Sequence, residues 1–443
     1  MNTCKVGFIS LGCPKNQVDT EWMLHKILSA GYEITPDEAE ADIIIVNTCS
    51  FIESAKEESI DTILDIAALK NDNLKAIIVT GCMSQMYRDQ LLTELPEIDA
   101  VVGVASMKDI VSIVDRVAKN HETGIVECAD LSDFEFGGDR ILTTPEFAPY
   151  LKIAEGCDNR CTYCVIPQLR GNFRSRPLDD IVREAKELEE LGAKELSLIA
   201  QDTTSWGKDI YGKPSLVKLI RAICENTKIP RIRLLYCYMD KVDDALIAEI
   251  KNNPRVVHYI DLPIQHMSDP VLFSMHRRDT RKSILHTLKK LRSEIPDIVI
   301  RSTVIVGFPG ETEKDFEDLC SGIEEAKFER LGVFRYSRES GTPAYDFAGQ
   351  IDEQTKQDRF DRIMEIQLRI SEKFQSSMLD KTLRVLCEGY DRDNRVYFGR
   401  SYADAMDVDG KVYFRSDKNP KDGEYVFVHI TDTLDYDLMG VQV

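Results

Sequence analysis

Cys157, Cys161 and Cys164 fall within ten residues, Glu155-Gly156-Cys157-Asp158-Asn159-Arg160-Cys161-Thr162-Tyr163-Cys164, and this C-x3-C-x2-C spacing constrains the fold more than any other feature of the chain. The backbone there must curl into a short loop that presents three sulfurs together. Three such thiolates can ligate three irons of a 4Fe-4S cluster, leaving the fourth iron open to a small molecule. A structural zinc site would recruit a fourth Cys or His from a similar short module, and none follows Cys164 before Arg170 and Gly171. Inert packing is the other alternative, but cysteines at this density in a loop suit ligation better.

Upstream, residues 1 to about 105 read as βα units. Val6–Leu11, Ile43–Val46 and Ala76–Val79 are strand-like, and each precedes a helical stretch. The first helix is expected to begin near Asn16, to carry Asp19 and Glu21 in its opening turn, to bury Leu24, Ile27 and Leu28, and to stop at Gly31. Such alternation predicts a parallel sheet. Cys13, Cys49 and Cys82 each follow one of the three strands within a few residues. In a parallel sheet those loops open on one carboxyl edge, where such folds bind ligands. A single free cysteine is commonly a small buried hydrophobe. Three in identical positions read instead as ligands of a second cluster, again with one open iron.

Residues from about 150 to 350 predict a second α/β domain. Its strands lie near Tyr150–Ala154, Glu195–Ala200, Arg231–Leu235, Val257–Leu262, Val299–Ile305 and Gly332–Phe334. Six βα units suit a partial barrel with its chemistry at the C-terminal strand ends, and the Cys157 loop follows the first strand. Asp352 to about Leu379 reads as a packing and connector helix with Phe360, Ile363, Ile370 and Phe374 on one side. Beyond Thr382 come short strands, Arg395–Phe398, Lys411–Phe414 and Tyr425–Ile430, between Asp/Gly turns, which predicts a small antiparallel β-barrel. The expected fold class is therefore α/β: an N-terminal parallel domain over 1–139, a partial (β/α) barrel with its connector helix over 140–378, and the β-barrel over 379–443.

The chain has 443 residues, no apolar run near the roughly 18 residues a membrane span needs, and no secretory pattern at its start. The expectation is a cytoplasmic protein whose twelve cysteines stay reduced. A formal charge of −20 argues against a general nucleic-acid binder and favours a basic partner.

Taken in order, Ser10-Leu11-Gly12-Cys13-Pro14-Lys15-Asn16, Val46-Asn47-Thr48-Cys49, Thr80-Gly81-Cys82 and the Cys157 loop make the whole chain resemble the radical S-adenosylmethionine methylthiotransferase family, with the last piece similar to a TRAM domain. The resemblance implies two 4Fe-4S clusters. It also implies two uses of S-adenosyl-L-methionine, as methyl donor and as source of a 5′-deoxyadenosyl radical, so that a C–H bond becomes C–S–CH3. The central cluster would generate the radical and the N-terminal one would hold the sulfur.

Two branches of that family compete, one modifying adenosine in tRNA and one modifying the β-carbon of an aspartate in small-subunit ribosomal protein number twelve. The stretches Ser10–Asn16, Asp158–Cys161, Val165–Gln168, Tyr336–Pro343 and Asp435–Gly440 look like the protein-modifying branch. Charge agrees: residues 1–140 carry 11 Lys+Arg against 25 Asp+Glu, and residues 381–443 carry 9 against 12. An acidic terminal barrel is poorly suited to displacing counterions from phosphates and well suited to a basic protein, so tRNA is the lesser expectation. Arg170, Arg174 and Arg176, with Arg277, Arg278 and Arg281, could still form a basic mouth, or be ordinary paired arginines. The implied partners further include an electron donor such as flavodoxin or ferredoxin and a source of sulfur.

The resemblance places backbone contacts to the adenosyl group at Gly307–Thr312, where Gly307 equally suits a turn and Glu311 a helix start. Gln201 and Asp202 end the second barrel strand, and Gln265 and His266 the fourth, facing the predicted pocket. Gln265 could bond cofactor or substrate, while His266 could satisfy a loop carbonyl. Tyr163 could pack beside the adenine or shield the cluster. Cys4, Cys128, Cys224, Cys237, Cys320 and Cys387 share no spacing and read as packing residues, with Cys237, just past the third barrel strand, the one to watch.

Overall fold

Uninterrupted Ile and Val runs have no polar face to offer water, so they must be covered on both sides. The computed structural model, which describes residues 4–443, places two of them at the centre of a parallel sheet. Its strands are β1 (Lys5–Ser10), β2 (Glu33–Ile34), β3 (Ile43–Thr48), β4 (Ala76–Gly81), β5 (Ala100–Val102) and β6 (Ile125–Glu127), in the order β2-β1-β3-β4-β5-β6. Every residue of β3 and β4 is buried.

The first helix runs Pro14–Ser29, with Pro14 in its first turn where a missing N–H costs nothing. Met23, Leu24 and Ile27 are buried, but Leu28 is 50% exposed, contrary to expectation, because it falls on the face turned away from the sheet. Asp19 and Glu21 also depart from their expected role at a helix end. Both are buried between domains, where Asp19 pairs with Lys152 (2.6 Å) and Arg170 (2.6 Å), and Glu21 with Arg140 (2.6 Å).

The second domain starts with β7 (Tyr150–Lys152). A small antiparallel pair follows, β8 (Ala154–Glu155) with β9 (Arg174–Ser175). Then come β10 (Glu195–Ile199), β11 (Arg231–Leu234), β12 (Val256–Asp261), β13 (Val299–Val306) and β14 (Arg330–Arg335). These join β7 in one six-stranded sheet of order β14-β13-β12-β11-β10-β7, each neighbouring pair parallel. All six expected strands are present, within a residue or two of their expected bounds. The connector helix spans Glu353–Ser376 and buries Ile363 and Ile366, with Phe360 and Ile370 half-buried against the same core.

The terminal domain is a closed barrel of β15 (Thr382–Asp391), β16 (Val396–Arg400), β17 (Val412–Arg415), β19 (Leu438–Gln442) and β18 (Tyr425–Thr433). Its pairs are antiparallel except β17 with β19. The segment between β16 and β17 packs inside the partial barrel: Ala403, Ala405 and Met406 share one apolar cluster with Tyr150, Ile199, Tyr259 and Val299. Asp409 accepts from Tyr259 Oη (2.6 Å), Asp404 pairs with Arg330 (2.6 Å), and Arg233 donates to the carbonyl of Tyr402 (2.8 Å).

Glu195 anchors this interface. It pairs with Arg400 (2.7 Å) of the terminal barrel and with Arg233 (3.0 Å) and Arg231 (3.5 Å) of β11. Burial alone would push its carboxyl up, but the guanidiniums of Arg233, Arg400 and Arg231 more than offset that and hold it well below the usual carboxylate range. A depressed folded-state pKa means that this contribution is present above the unfolded value near 4.3 and is lost as pH falls toward the folded one. Glu195→Gln would leave the buried guanidiniums of Arg231 and Arg233 without an anion and Arg400 with Glu388 alone. The expected result is a loss of about 3–5 kcal/mol in chemical denaturation at pH 7. The gap between variant and parent should shrink below about pH 4.

Candidate metal centre

The expected convergence of the first three cysteines is realised at the carboxyl edge of the N-terminal sheet. Cys13 caps the helix that follows β1, Cys49 follows β3, and Cys82 opens the short helix after β4. Gly12 brings the first two together: it sits at φ +88°, and a Cβ there would lie 2.7 Å from Cys49 Cβ. Asn16 fixes the loops, its Nδ2 donating to the carbonyls of Leu11 (3.1 Å) and Thr48 (3.0 Å), with its Oδ1 3.8 Å from Cys82 Sγ. Ser59 holds the Cys49 backbone from the next helix.

Electrostatics separates the three thiols. Burial raises Cys13, but Lys15, Arg170 and two backbone N–H groups outweigh it and leave that thiol below its ordinary value. Burial, reinforced by Cys82 and Cys13, pushes Cys49 up to about 12. Burial likewise raises Cys82, against the pull of Arg170.

In the second set, Gly156 (φ +78°) turns the chain so closely on itself that a Cβ would meet the Gly171 carbonyl at 2.7 Å. The loop is then pinned at several points. Cys157 N donates to Gly171 O (3.1 Å), Thr162 Oγ1 to Ser274 O (2.7 Å), and Asn159 Nδ2 to Cys157 Sγ (3.3 Å) and Asp202 (2.8 Å). Tyr238 Oη lies 3.5 Å from Cys161 Sγ. Burial lifts Cys157 to about 11 and carries Cys164 further. Thiols held neutral by burial become good ligands once a metal takes the place of the proton.

Among the described residues no three His, Cys, Asp or Glu side chains come together as a single-ion site. Each set offers three sulfurs, as a 4Fe-4S cluster with an open iron requires.

Only the tertiary structure reveals that the two sets adjoin. Cys82 packs with Val165 and Leu169, in the segment directly after Cys164. Arg170, fully buried, bonds Asn16 and pairs with Asp19 (2.6 Å) and Glu155 (3.4 Å). Lys152 joins Asp19 and Glu155, and Gln201 Nε2 donates to Glu155 (2.5 Å). Despite complete burial, the charges of Lys152 and Arg170 bring the Glu155 carboxyl down to about 2.

The remaining candidates have diverse surroundings. Tyr163 packs beside Phe308, Tyr336 and Met275. Gln201 leaves its Oε1 buried without a partner. Gln265 adopts φ +72° and bridges to Val304. Gly307 (φ +72°) faces the connector helix, with Lys356 Cδ 3.2 Å from where a Cβ would stand, so packing of that helix accounts for the glycine. Glu311 precedes the Thr312 cap rather than starting the helix, and it pairs with Arg359 (2.9 Å). His266 is buried, its Nδ1 accepting from Ser268 N (2.9 Å). Cys237 is buried in the barrel core.

Four of the six arginines are tied up in carboxylate pairs, whereas Arg174 donates only to backbone carbonyls and Arg278 is exposed 3.7 Å from Asp240. Arg170 and Arg176 are buried in carboxylate pairs, Arg277 pairs with Asp279 (3.2 Å), and Arg281 with Glu325 (3.2 Å). Two residues absent from the sequence-based candidates, Lys15 and Tyr236, meet near Cys13: the Lys15 ammonium lies 3.3 Å from the Tyr236 ring centroid, and its charge helps to lower the Cys13 thiol. Tyr236 lies two residues past the end of β11, among the loop positions where barrel residues face ligands, and that was the signal available in the sequence.

Comparison with known proteins agrees with this architecture. Family models match as Uncharacterized protein family UPF0004 over residues 5–103, Radical SAM superfamily over 151–321 and TRAM domain over 381–443. Among solved structures, the radical S-adenosylmethionine methyltransferase TsrM from Kitasatospora setae superposes with a TM-score of 0.56 at 14% identity, covering 77% of each chain, a likeness of fold. Proteins named ribosomal protein uS12 methylthiotransferase RimO, from Acetivibrio thermocellus and Geobacter sulfurreducens, are each 49% identical over 442 residues, 98% of this chain and 98% of theirs. With about half of its residues shared end to end, this chain belongs to the ribosomal protein uS12 methylthiotransferase RimO family.

Proposed function

We propose that this protein is a radical S-adenosylmethionine methylthiotransferase that converts a β-carbon C–H bond of an aspartate in ribosomal protein uS12 to C–S–CH3. The observation that carries the reading is the adjacency of two three-cysteine sets, in a chain nearly half identical to RimO relatives throughout its length. Cys157, Cys161 and Cys164 would hold one 4Fe-4S cluster, and Cys13, Cys49 and Cys82 the other. Bound there with S-adenosyl-L-methionine, these groups supply a hydrogen-abstracting radical, a site for sulfur and a methyl donor.

The chain's own residues position and seal that chemistry. Gly12 and Gly156 let the ligand loops close, and Asn16 and Asn159 steady sulfurs of either set. Arg170 locks the N-terminal domain onto the barrel through Asp19 and Glu155. Tyr163, Gln201, Gln265 and Gly307 surround the mouth where S-adenosylmethionine would bind. The three functional units correspond to residues 1–139, 140–378 and 379–443. Among the described residues no helix is long and apolar enough to cross a membrane, and we place the protein in the cytoplasm beside its ribosomal substrate. A flavodoxin- or ferredoxin-type electron donor and a separate sulfur source complete the system.

Purified protein, reconstituted anaerobically and supplied with reductant, S-adenosylmethionine and sulfide, should be offered uS12 and unmodified tRNA in parallel. The expected product by mass spectrometry is methylthiolated aspartate in uS12, with docking weakened by rising salt because the acidic flanking domains meet a basic protein. Methylthiolated adenosine without modified protein would reverse the assignment.

A further inference from the structure

Lys15 stands two residues beyond Cys13, is only 7% exposed, and pairs with no carboxylate among the described residues. Its buried cationic neighbours differ, since Lys152 and Arg170 are both neutralised by Asp19 and Glu155. The ammonium of Lys15 instead lies 3.3 Å from the centroid of the Tyr236 ring. A cation taken from water without a carboxylate is costly, and the Tyr236 ring with the nearby Cys13 sulfur compensates only in part. This location is thus ready to receive negative charge.

The way Tyr236 is held points to the same place. It adopts φ +59°, an unfavourable region for a bulky aromatic residue. Its backbone N–H donates to Asp261 Oδ2 (2.9 Å), and Asp261 is fixed by Arg301 (3.2 Å). Arg301 in turn lies 3.5 Å from Asp409 of the segment that packs inside the partial barrel. The fold thereby maintains a strained residue at the end of β11 that sets the ring beneath the Lys15 ammonium, beside Cys13.

We infer that Lys15, backed by Tyr236, binds the side-chain carboxylate of the substrate aspartate. The inference rests on the function proposed above and adds the group that selects aspartate. The carboxyl carbon of aspartate is bonded to the β-carbon, so an ammonium that fixes the carboxylate also fixes the reacting carbon beside the N-terminal cysteine set. Asparagine has the same shape without the charge, and it would leave the ammonium unpaired.

The test uses the full chain, reconstituted with iron and sulfide, as parent, Lys15→Met and Lys15→Arg. Binding of a fluorescent peptide spanning the modified aspartate of uS12 is compared with its Asp→Asn counterpart, alongside iron content. The parent should prefer the aspartate peptide by roughly 10–100-fold, the range for a charge-assisted hydrogen bond. Lys15→Met should bind both peptides alike with iron retained, and Lys15→Arg should recover part of the preference. Undiminished discrimination by Lys15→Met would overturn the inference while the parent still methylthiolates the aspartate peptide. Loss of iron in both variants would overturn it too, assigning the charge to the metal centre. A parent that modifies neither peptide nor intact uS12 would instead bring down the underlying function, and the inference with it.

Discussion

Simultaneous replacement of Cys157, Cys161 and Cys164 by alanine is expected to remove about half of the iron and sulfide and to abolish reductive cleavage of S-adenosylmethionine. The two sets belong to different domains, and each has its own scaffold. Gly156, Asn159 and the contact with Ser274 shape the central loop, whereas Gly12, Asn16 and Ser59 shape the N-terminal one. Losing three sulfurs from the central loop leaves the other set's ligands and hydrogen bonds intact. The variant should therefore fold, as judged by circular dichroism, and keep the iron of the N-terminal set. Iron analysis with a 5′-deoxyadenosine assay checks this. Full iron retention would contradict two separate sites.

The complementary substitution, Cys13, Cys49 and Cys82 to alanine, is expected to preserve some cleavage of S-adenosylmethionine while eliminating methylthio product altogether. Burial holds Cys49 and Cys82 above the ordinary thiol range, so without metal they behave as neutral apolar groups, and alanine should be tolerated there. Arg170 would keep Asp19 and Glu155 as partners, so the interface between the domains should survive. Product measured on uS12, with cofactor cleavage assayed in the same sample, separates the roles of the sets. Methylthiolation that persists without all three cysteines would show that sulfur is held elsewhere.

Much of this architecture is written in local pattern. The unbroken apolar runs at Ile43–Val46 and Ala76–Val79 can only be doubly covered strands, and both cysteine sets follow from their spacing or their place after strands. The six barrel strands are legible for the same reason. Charged residues are harder to read, because a carboxylate in a helix looks alike whether it faces water or another domain. Asp19 and Glu21 suggested a helix end and turned out to be buried interdomain anchors, while Leu28 fits the helical stripe yet lies on the open face. Arg170, Arg176 and Arg277 suggested a basic mouth, but each is buried against a carboxylate, Asp19 for Arg170, Glu184 for Arg176 and Asp279 for Arg277, and burial is not written in local sequence.

The sequence by itself determined the three-part order, the strands and the grouping of six cysteines into two sets, since spacing and apolar periodicity act over a few residues. Only the tertiary structure decided that the sets adjoin, that the segment after Arg400 packs inside the partial barrel, and that Lys15 is a buried cation facing Tyr236. Those facts depend on contacts between residues far apart in the sequence. Burial, which sets the cost of an unpaired charge, exists only once the chain has closed around it.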